Sequence, residues 1–335
     1  MQVLNLQRII YLSFAFLMIG IALLFIEEPE QHYTEASADT VPLENEALPV
    51  LEEPIPEFFT LPANPSPGDF LIVGAGPFPE ADIYEISFNF PGTASEHLIF
   101  ADKIYQVIAI AFDTEPGDYK LFLTPRAGQD DEISYELLIE VCDKEFSYSS
   151  FTMPPSRIDG WTSEQLALDR ERVFDARNTT EPYPLWLQPF ISPVEGRVSS
   201  PFGAVRVINN NPPRRHNGID IAAPEGTPIE AANDGIVRLA DFLLSGGNTV
   251  IIDHGLGLSS TYMHLDEFFV QEGERVYRGA VIGTVGMTGY ATGPHLHYEV
   301  NIFQRPVNPD QLISNDLMLL PPAYVINLFE KSDRL

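Results

Sequence analysis

At 335 residues with 44% hydrophobic side chains, the chain is long enough for two folded domains plus connecting segments. Its 19 basic against 48 acidic residues leave a net charge of −29, a field that repels nucleic acid and argues against any nucleic-acid partner. The excess is uneven: residues 1–150 hold 26 acids against 5 bases, residues 151–335 hold 22 against 14, and no Lys or Arg lies between Arg8 and Lys103.

In chain order, Ile9 to Ile26 is an uninterrupted apolar run of 18 residues, near the minimum for a helix that spans a bilayer and longer than the usual core of a cleaved signal. Residues 1–26 are read as a signal-anchor, a transmembrane segment that keeps Arg8 inside and places the remaining chain in the cell envelope, outside the cytoplasm. Cleavage at Ala36-Ser37-Ala38, beyond the run, would instead release a secreted protein. Residues 27–57 carry ten acids and no base, and are read as an extended acidic linker.

From 58 to 147, β-branched and aromatic runs such as "DFLIVGA", "ADIYEISFNF" and "DYKLFLT" alternate with turn signals such as "NPSPG" and "TEPG". The pattern predicts an immunoglobulin-like β-sandwich, a spacer or a domain that meets a protein partner. Its only histidine, His97, is read as an ordinary residue, and Cys142 as a small buried apolar one. Residues 148–190 form a connector with one helix: Thr162 and Gln165 make a capping box, and Leu166, Arg170, Val173, Phe174 and Arg177 recur at helical spacing. That helix is expected to pack between the domains. Glycine-punctuated strands return over 191–309, among them "TPIEAANDGIVRLAD", "NTVIIDHG" and "HLHYEVNI", followed by a docking tail over 310–335. The fold class is therefore mainly β, with an N-terminal transmembrane helix and two successive β domains.

Chemistry concentrates in the second of them, which holds five of the seven histidines. In "HLHYEV", strand alternation points His295, His297 and Glu299 to one side, away from Leu296, Tyr298 and Val300. In "HNGID", His216 and Asp220 stand four apart, a spacing that a strand places on one face, and "TYMHL" adds His264. Three nitrogen or oxygen ligands with an open fourth position suit a catalytic zinc; a structural zinc would be closed by four, usually with cysteine. Glu299 is either an orienting partner for one of the histidines or a solvated strand-end residue.

The segments "HNGIDIAAPEGTPIEAANDGIV", "GNTVIIDHGLGLSSTYMHL" and "GERVYRGAVIGTVGMTGYATGPHLHYEV" resemble the lysostaphin and LytM family of zinc metallopeptidases over roughly residues 195–305. The resemblance implies a glycine-rich β barrel-sandwich that cleaves stem peptides or cross-bridges of peptidoglycan with one zinc ion per chain. It implies His216, Asp220 and His297 as metal ligands, His264 and His295 as the catalytic pair, and a structural role for His254. Such a ligand set leaves a divalent ion with a net single positive charge, enough to polarise water, while His264 and His295 share the proton transfers. Two features depart from the family pattern: the proline-stiffened loop Val207–Arg215, and Tyr290 where a basic or small residue is common. The alternatives are a non-catalytic regulator of the same family and an envelope-anchored wall-binding module.

Overall fold

A computed structural model describes residues 57–78, 81–100, 102–126, 134–152, 161–186, 188–209 and 211–314. The expected anchor over 1–26, the acidic linker up to residue 56 and the tail beyond residue 314 lie outside the described residues. Among the described residues, no helix is long and apolar enough to cross a membrane.

The first region consists of β1 (Glu57–Leu61), β2 (Phe70–Gly76), β3 (Tyr84–Phe88), β4 (Gly92–Ala94), β5 (Leu98–Phe100), β6 (Lys103–Ile110), β7 (Gly117–Pro125) and β8 (Tyr135–Val141). One sheet runs β1-β2-β6-β4, with β5 also on β6, and a second runs β3-β7-β8, every pairing antiparallel. Alternation explains why β2 and β6 read as continuous apolar runs. Leu71, Val73, Ala75, Ile104 and Ile108 face Ile86, Leu121, Leu123 and Ile139 of the second sheet. Phe70, Ile72, Val107 and Ala109 point the other way, into a second apolar core. A sheet covered on both sides has no polar face to show. Cys142, just past β8, is half-buried rather than buried, because its segment has already left the sandwich edge.

That second core belongs to the carboxyl-terminal region. It is built from β9 (Tyr148–Phe151), β10 (Arg197–Ser200), β11 (Val205–Ile208), β12 (Arg214–Arg215), β13 (Ile219–Ala222), β14 (Pro228–Glu230), β15 (Gly235–Leu243), β16 (Gly247–Gly255), β17 (Leu258–Phe268), β18 (Arg275–Val276), β19 (Val281–Val285), β20 (Leu296–Ile302) and β21 (Arg305–Val307). A ten-stranded sheet runs β10-β13-β20-β17-β16-β15-β18, with β14, β19 and β21 attached at its sides. The segment read as one strand, "TPIEAANDGIVRLAD", is two, because Asn233 turns the chain: its side chain accepts from the Asp234 amide and donates to the Gln188 carbonyl. Trp186, Phe190, Val194, Phe202 and the strand interiors share one cluster with Phe70, Ile72, Val107 and Ala109, so the sandwich is co-packed with this region rather than held off it as a spacer.

Helix α1 (Ser163–Asn178) carries the expected reciprocal cap, Thr162 Oγ1 accepting from the Gln165 amide and Gln165 Oε1 from the Thr162 amide. It does not pack between the two regions. Val173 and Ala176 lie on Leu239, Leu243 and Ile251, on the outer side of β15 and β16, and Phe174 is exposed. Helix α2 (Pro309–Ser314) docks on the sandwich, its Gln311 side chain bonding both the amide and the carbonyl of Phe70.

Candidate active site

Three neighbouring strands, β13, β20 and β17, form the floor. Asp220 is paired with His297, and His297 with Met263, so these side chains share one face while Tyr298 and Tyr262 fill the core beneath. His216 is not on a strand, as its spacing from Asp220 suggested, but in the turn joining β12 to β13. Gly218 lets that turn lie flat on β20: a Cβ there would stand 2.2 Å from the Tyr298 carbonyl oxygen. His295 likewise precedes β20 by one residue.

The turn and the two strands bring His216 Nε2, Asp220 Oδ1 and His297 Nδ1 together at 2.8–3.0 Å. The outer nitrogen of each ring is held: His216 Nδ1 donates to the Pro201 carbonyl at 3.0 Å and His297 Nε2 to Glu299 Oε1 at 2.9 Å. With those tautomers, assigned from the hydrogen-bond network, all three converging atoms present lone pairs. Three lone pairs at such separations repel unless positive charge lies among them. The preference for positive charge is visible in the titration. Burial lowers His297, but its bonds to Asp220 and Glu299 outweigh this and raise it to about 9, while burial keeps His216 below the usual imidazole range. Burial also opposes ionisation of Asp220, but hydrogen bonds from both imidazoles hold it far below the usual carboxylate range. Two imidazoles and a carboxylate, with no thiolate, fit a zinc ion of the catalytic type.

His264 and His295 stand beside this triad, their ring centroids 4.8 Å apart. His264 arrives there on a bulge: Asn248 pairs with Leu265 but Val250 with Tyr262, so Met263 and His264 together oppose Thr249. The extra residue takes a left-handed conformation, φ +67°, which turns the ring toward the groove. Its Nδ1 donates to the Thr288 carbonyl at 2.9 Å, leaving Nε2 bare, and burial first, then His297 and His295, push its pKa down to about 3. It is therefore a neutral base at ordinary pH. His295 Nδ1 bonds the Gly293 carbonyl at 2.8 Å and its Nε2 lies 3.8 Å from Asp220 Oδ1. All five histidine and aspartate positions singled out in the sequence thus line one site. His254 is elsewhere, fully buried, bonded to the Asp234 carbonyl and the Ser260 hydroxyl.

Three residues join the site in ways the sequence did not resolve. Glu299 is buried rather than solvated, and Arg177 of α1 reaches it at 2.5 Å. Arg206 of β11 bonds the second oxygen of Asp220 and the Ser200 hydroxyl. Helical spacing groups Arg177 with Arg170, which is exposed, so periodicity alone does not say which of the two is buried. The triad and the histidine pair open into a groove of about 660 Å³, whose walls include Ser149, Thr152, Ser199, Thr292 and Tyr290. Tyr290 rims it, edge-on to Trp161.

A β fold that presents two imidazoles and a carboxylate to one point, with two more imidazoles over an open groove, has the make-up of a metallopeptidase site. Residues 214–309 match the model of Peptidase family M23. The DD-carboxypeptidase/endopeptidase Mpg of Neisseria meningitidis is 48% identical over 113 residues, 34% of this chain and 26% of that protein. The peptidoglycan DD-endopeptidase ShyA of Vibrio cholerae is 42% identical over 113 residues, 31% of this chain and 26% of that protein. The chain thus spans about a quarter of the length of these curated relatives. A solved structure of a peptidase M23 protein from Pseudomonas aeruginosa superposes with a TM-score of 0.55 at 28% identity, covering 74% of this chain and 94% of that one, so the shared fold extends well upstream of residue 214.

Proposed function

We propose that the chain is a zinc-dependent endopeptidase that hydrolyses peptide bonds in the stem peptides or cross-bridges of peptidoglycan. The observation that carries this reading is the convergence of His216, Asp220 and His297 beside His264 and His295, within a groove large enough for an extended peptide. The name of the Vibrio relative supports peptidoglycan as the substrate, and that of the Neisseria relative supports endopeptidase chemistry.

Zinc held by the triad would polarise the scissile carbonyl and make water acidic enough to attack near neutral pH. His264, kept neutral by burial, takes the proton from the attacking water; His295, facing it, delivers a proton to the departing amine or steadies the charge developing on the carbonyl oxygen. Arg206 holds one oxygen of Asp220 so that the other faces the two imidazoles. Hydroxyls of Ser149, Thr152, Ser199 and Thr292 offer hydrogen bonds to a peptide backbone lying in the groove. The apolar run Ile9–Ile26 supports a membrane-anchored, extracytoplasmic placement. The order of the two sandwich sheets supports an immunoglobulin-like arrangement.

The test is release of free amines from purified peptidoglycan. Release that stops with a chelator and returns with zinc is expected, and mass identification of the products names the bond. No release would instead favour the non-catalytic regulator or the wall-binding module, and release indifferent to chelator would overturn the zinc dependence.

A further inference from the structure

The metal triad and the histidine pair lie within the matched segment 214–309, whereas several residues bonded into their network lie upstream of it, Pro201 and Arg206 nearby and Arg177 on a separate helix. Arg177 sits in the last turn of α1 and is 8% exposed although it is an arginine on a surface helix. Its Nη2 donates to Glu299 Oε2 at 2.5 Å and to Thr261 Oγ1 at 3.2 Å. Glu299 spends its other oxygen on His297 Nε2, at 2.9 Å. A continuous chain of contacts therefore runs from helix to metal ligand: Arg177, Glu299, His297.

Each link has a physical reason. A carboxylate buried this deeply is costly unless a counter-charge accompanies it, and Arg177 supplies one. An ionised Glu299 can only accept hydrogen bonds, so it takes the His297 proton onto the Nε2 side and leaves Nδ1 free to face His216 and Asp220. Pinning Oε2 also fixes where Oε1 lies, and with it the plane of the ring. We propose that Arg177 is a positioning residue of the metal centre: through Glu299 it sets the tautomer and orientation of His297, so that α1, upstream of the peptidase segment, is part of the zinc site. The proposal rests on the zinc reading above.

The experiment measures zinc affinity of the whole chain by competition with a chromophoric chelator, alongside kcat and KM at saturating zinc and circular dichroism of the metal-free protein. Wild-type protein that takes up no zinc sinks the zinc reading itself, which separates that failure from failure of the present proposal. Arg177→Met should weaken zinc binding by about 10- to 100-fold, with KM unchanged and kcat recovered at saturating zinc. Arg177→Lys, which keeps the charge, should stay within a few-fold of wild type. A role in packing alone predicts the reverse ranking, with Met tolerated better than Lys. Should Arg177→Met leave Glu299 too exposed to folding cost to be isolated, the double variant Arg177→Met with Glu299→Gln removes both charges and should still bind zinc weakly. Wild-type zinc affinity in folded Arg177→Met, or in the double variant, overturns the proposal.

Discussion

The two β regions of this chain are made of the same material, short antiparallel strands separated by glycine and proline turns, yet they bury different things. Among the described residues, the interior of the sandwich is almost wholly apolar, and its few buried polar side chains, such as Ser95 and Gln106, bond nearby backbone: Gln106 Nε2 donates to the Ser95 carbonyl and Ser95 Oγ accepts from the Val107 amide. The carboxyl-terminal region buries His216, Asp220, Thr261, His264, His297 and Glu299 together. Unpaired polar groups cost free energy on burial, so a cluster of this kind persists only where each member is matched by another. The sheet geometry permits it: β20 gives one face to Tyr298 and Val300 and the other to His297 and Glu299. A strand with an apolar face and a chemical face is what separates the two regions, and β2, apolar on both, has no room for a site.

The largest expected effects come from striking the chemical face. Asp220→Ala removes one of three ligands and the partner that draws positive charge to His297, so the protein should lose its zinc altogether. The loss of several kcal/mol of transition-state stabilisation would lower the rate by roughly 10³-fold or more. Full zinc occupancy by elemental analysis of this variant would falsify the ligand assignment. His264→Ala and His295→Ala should each retain zinc while kcat falls by about 10²- to 10⁴-fold, the range for a lost general acid or base. Either variant with the wild-type rate would remove that histidine from the mechanism.

Much of this face was legible in the sequence because it depends on alternation and spacing. His297 and Glu299 stand two apart on one strand, and their shared side followed from the pleat alone. His264 was legible as a residue but not as a geometry: the bulge and the left-handed backbone that aim it arise from pairing with β16, and a single strand's sequence does not show its partner's register. His216 was placed on a strand because its distance from Asp220 is even, whereas Gly218 makes the segment a turn, and both routes end on the same face. Arg177 was out of reach for a different reason. Its helix also carries Arg170 and Arg172, and only the position of α1 on β15 and β16 decides which arginine meets Glu299. The run that becomes β2 was read only as one strand of a sandwich; its continuous apolar character records a second covered face, which pattern alone cannot distinguish from a generous first one.

Smaller effects are expected from the apolar side of the comparison. Phe70 and Leu71 are neighbours pointing into different cores, the first shared with the carboxyl-terminal region and the second interior to the sandwich. Truncation to alanine should cost about 3–5 kcal/mol for Phe70 and about 2–5 kcal/mol for Leu71. Since the cores meet through β2, both variants should lower one common unfolding transition seen by probes in either region. Separate transitions for the two regions would mean that the shared cluster does not couple them.

The smallest effect sharpens the contrast between holding the fold and holding the metal. Thr162→Ala removes the side-chain half of the cap at the start of α1, and should cost about 1 kcal/mol of stability. Arg177 lies at the other end of the same helix, 15 residues on, which at the usual helical rise is about 22 Å away. Fraying of the first turn therefore leaves the last turn anchored, through Val173 and Ala176 on Leu239 and Ile251. Zinc affinity in Thr162→Ala should equal that of wild type even as the melting temperature falls. If the cap variant loosened zinc as much as Arg177→Met, the helix would be acting as a body rather than through one guanidinium, and the metal centre would owe its geometry to general packing.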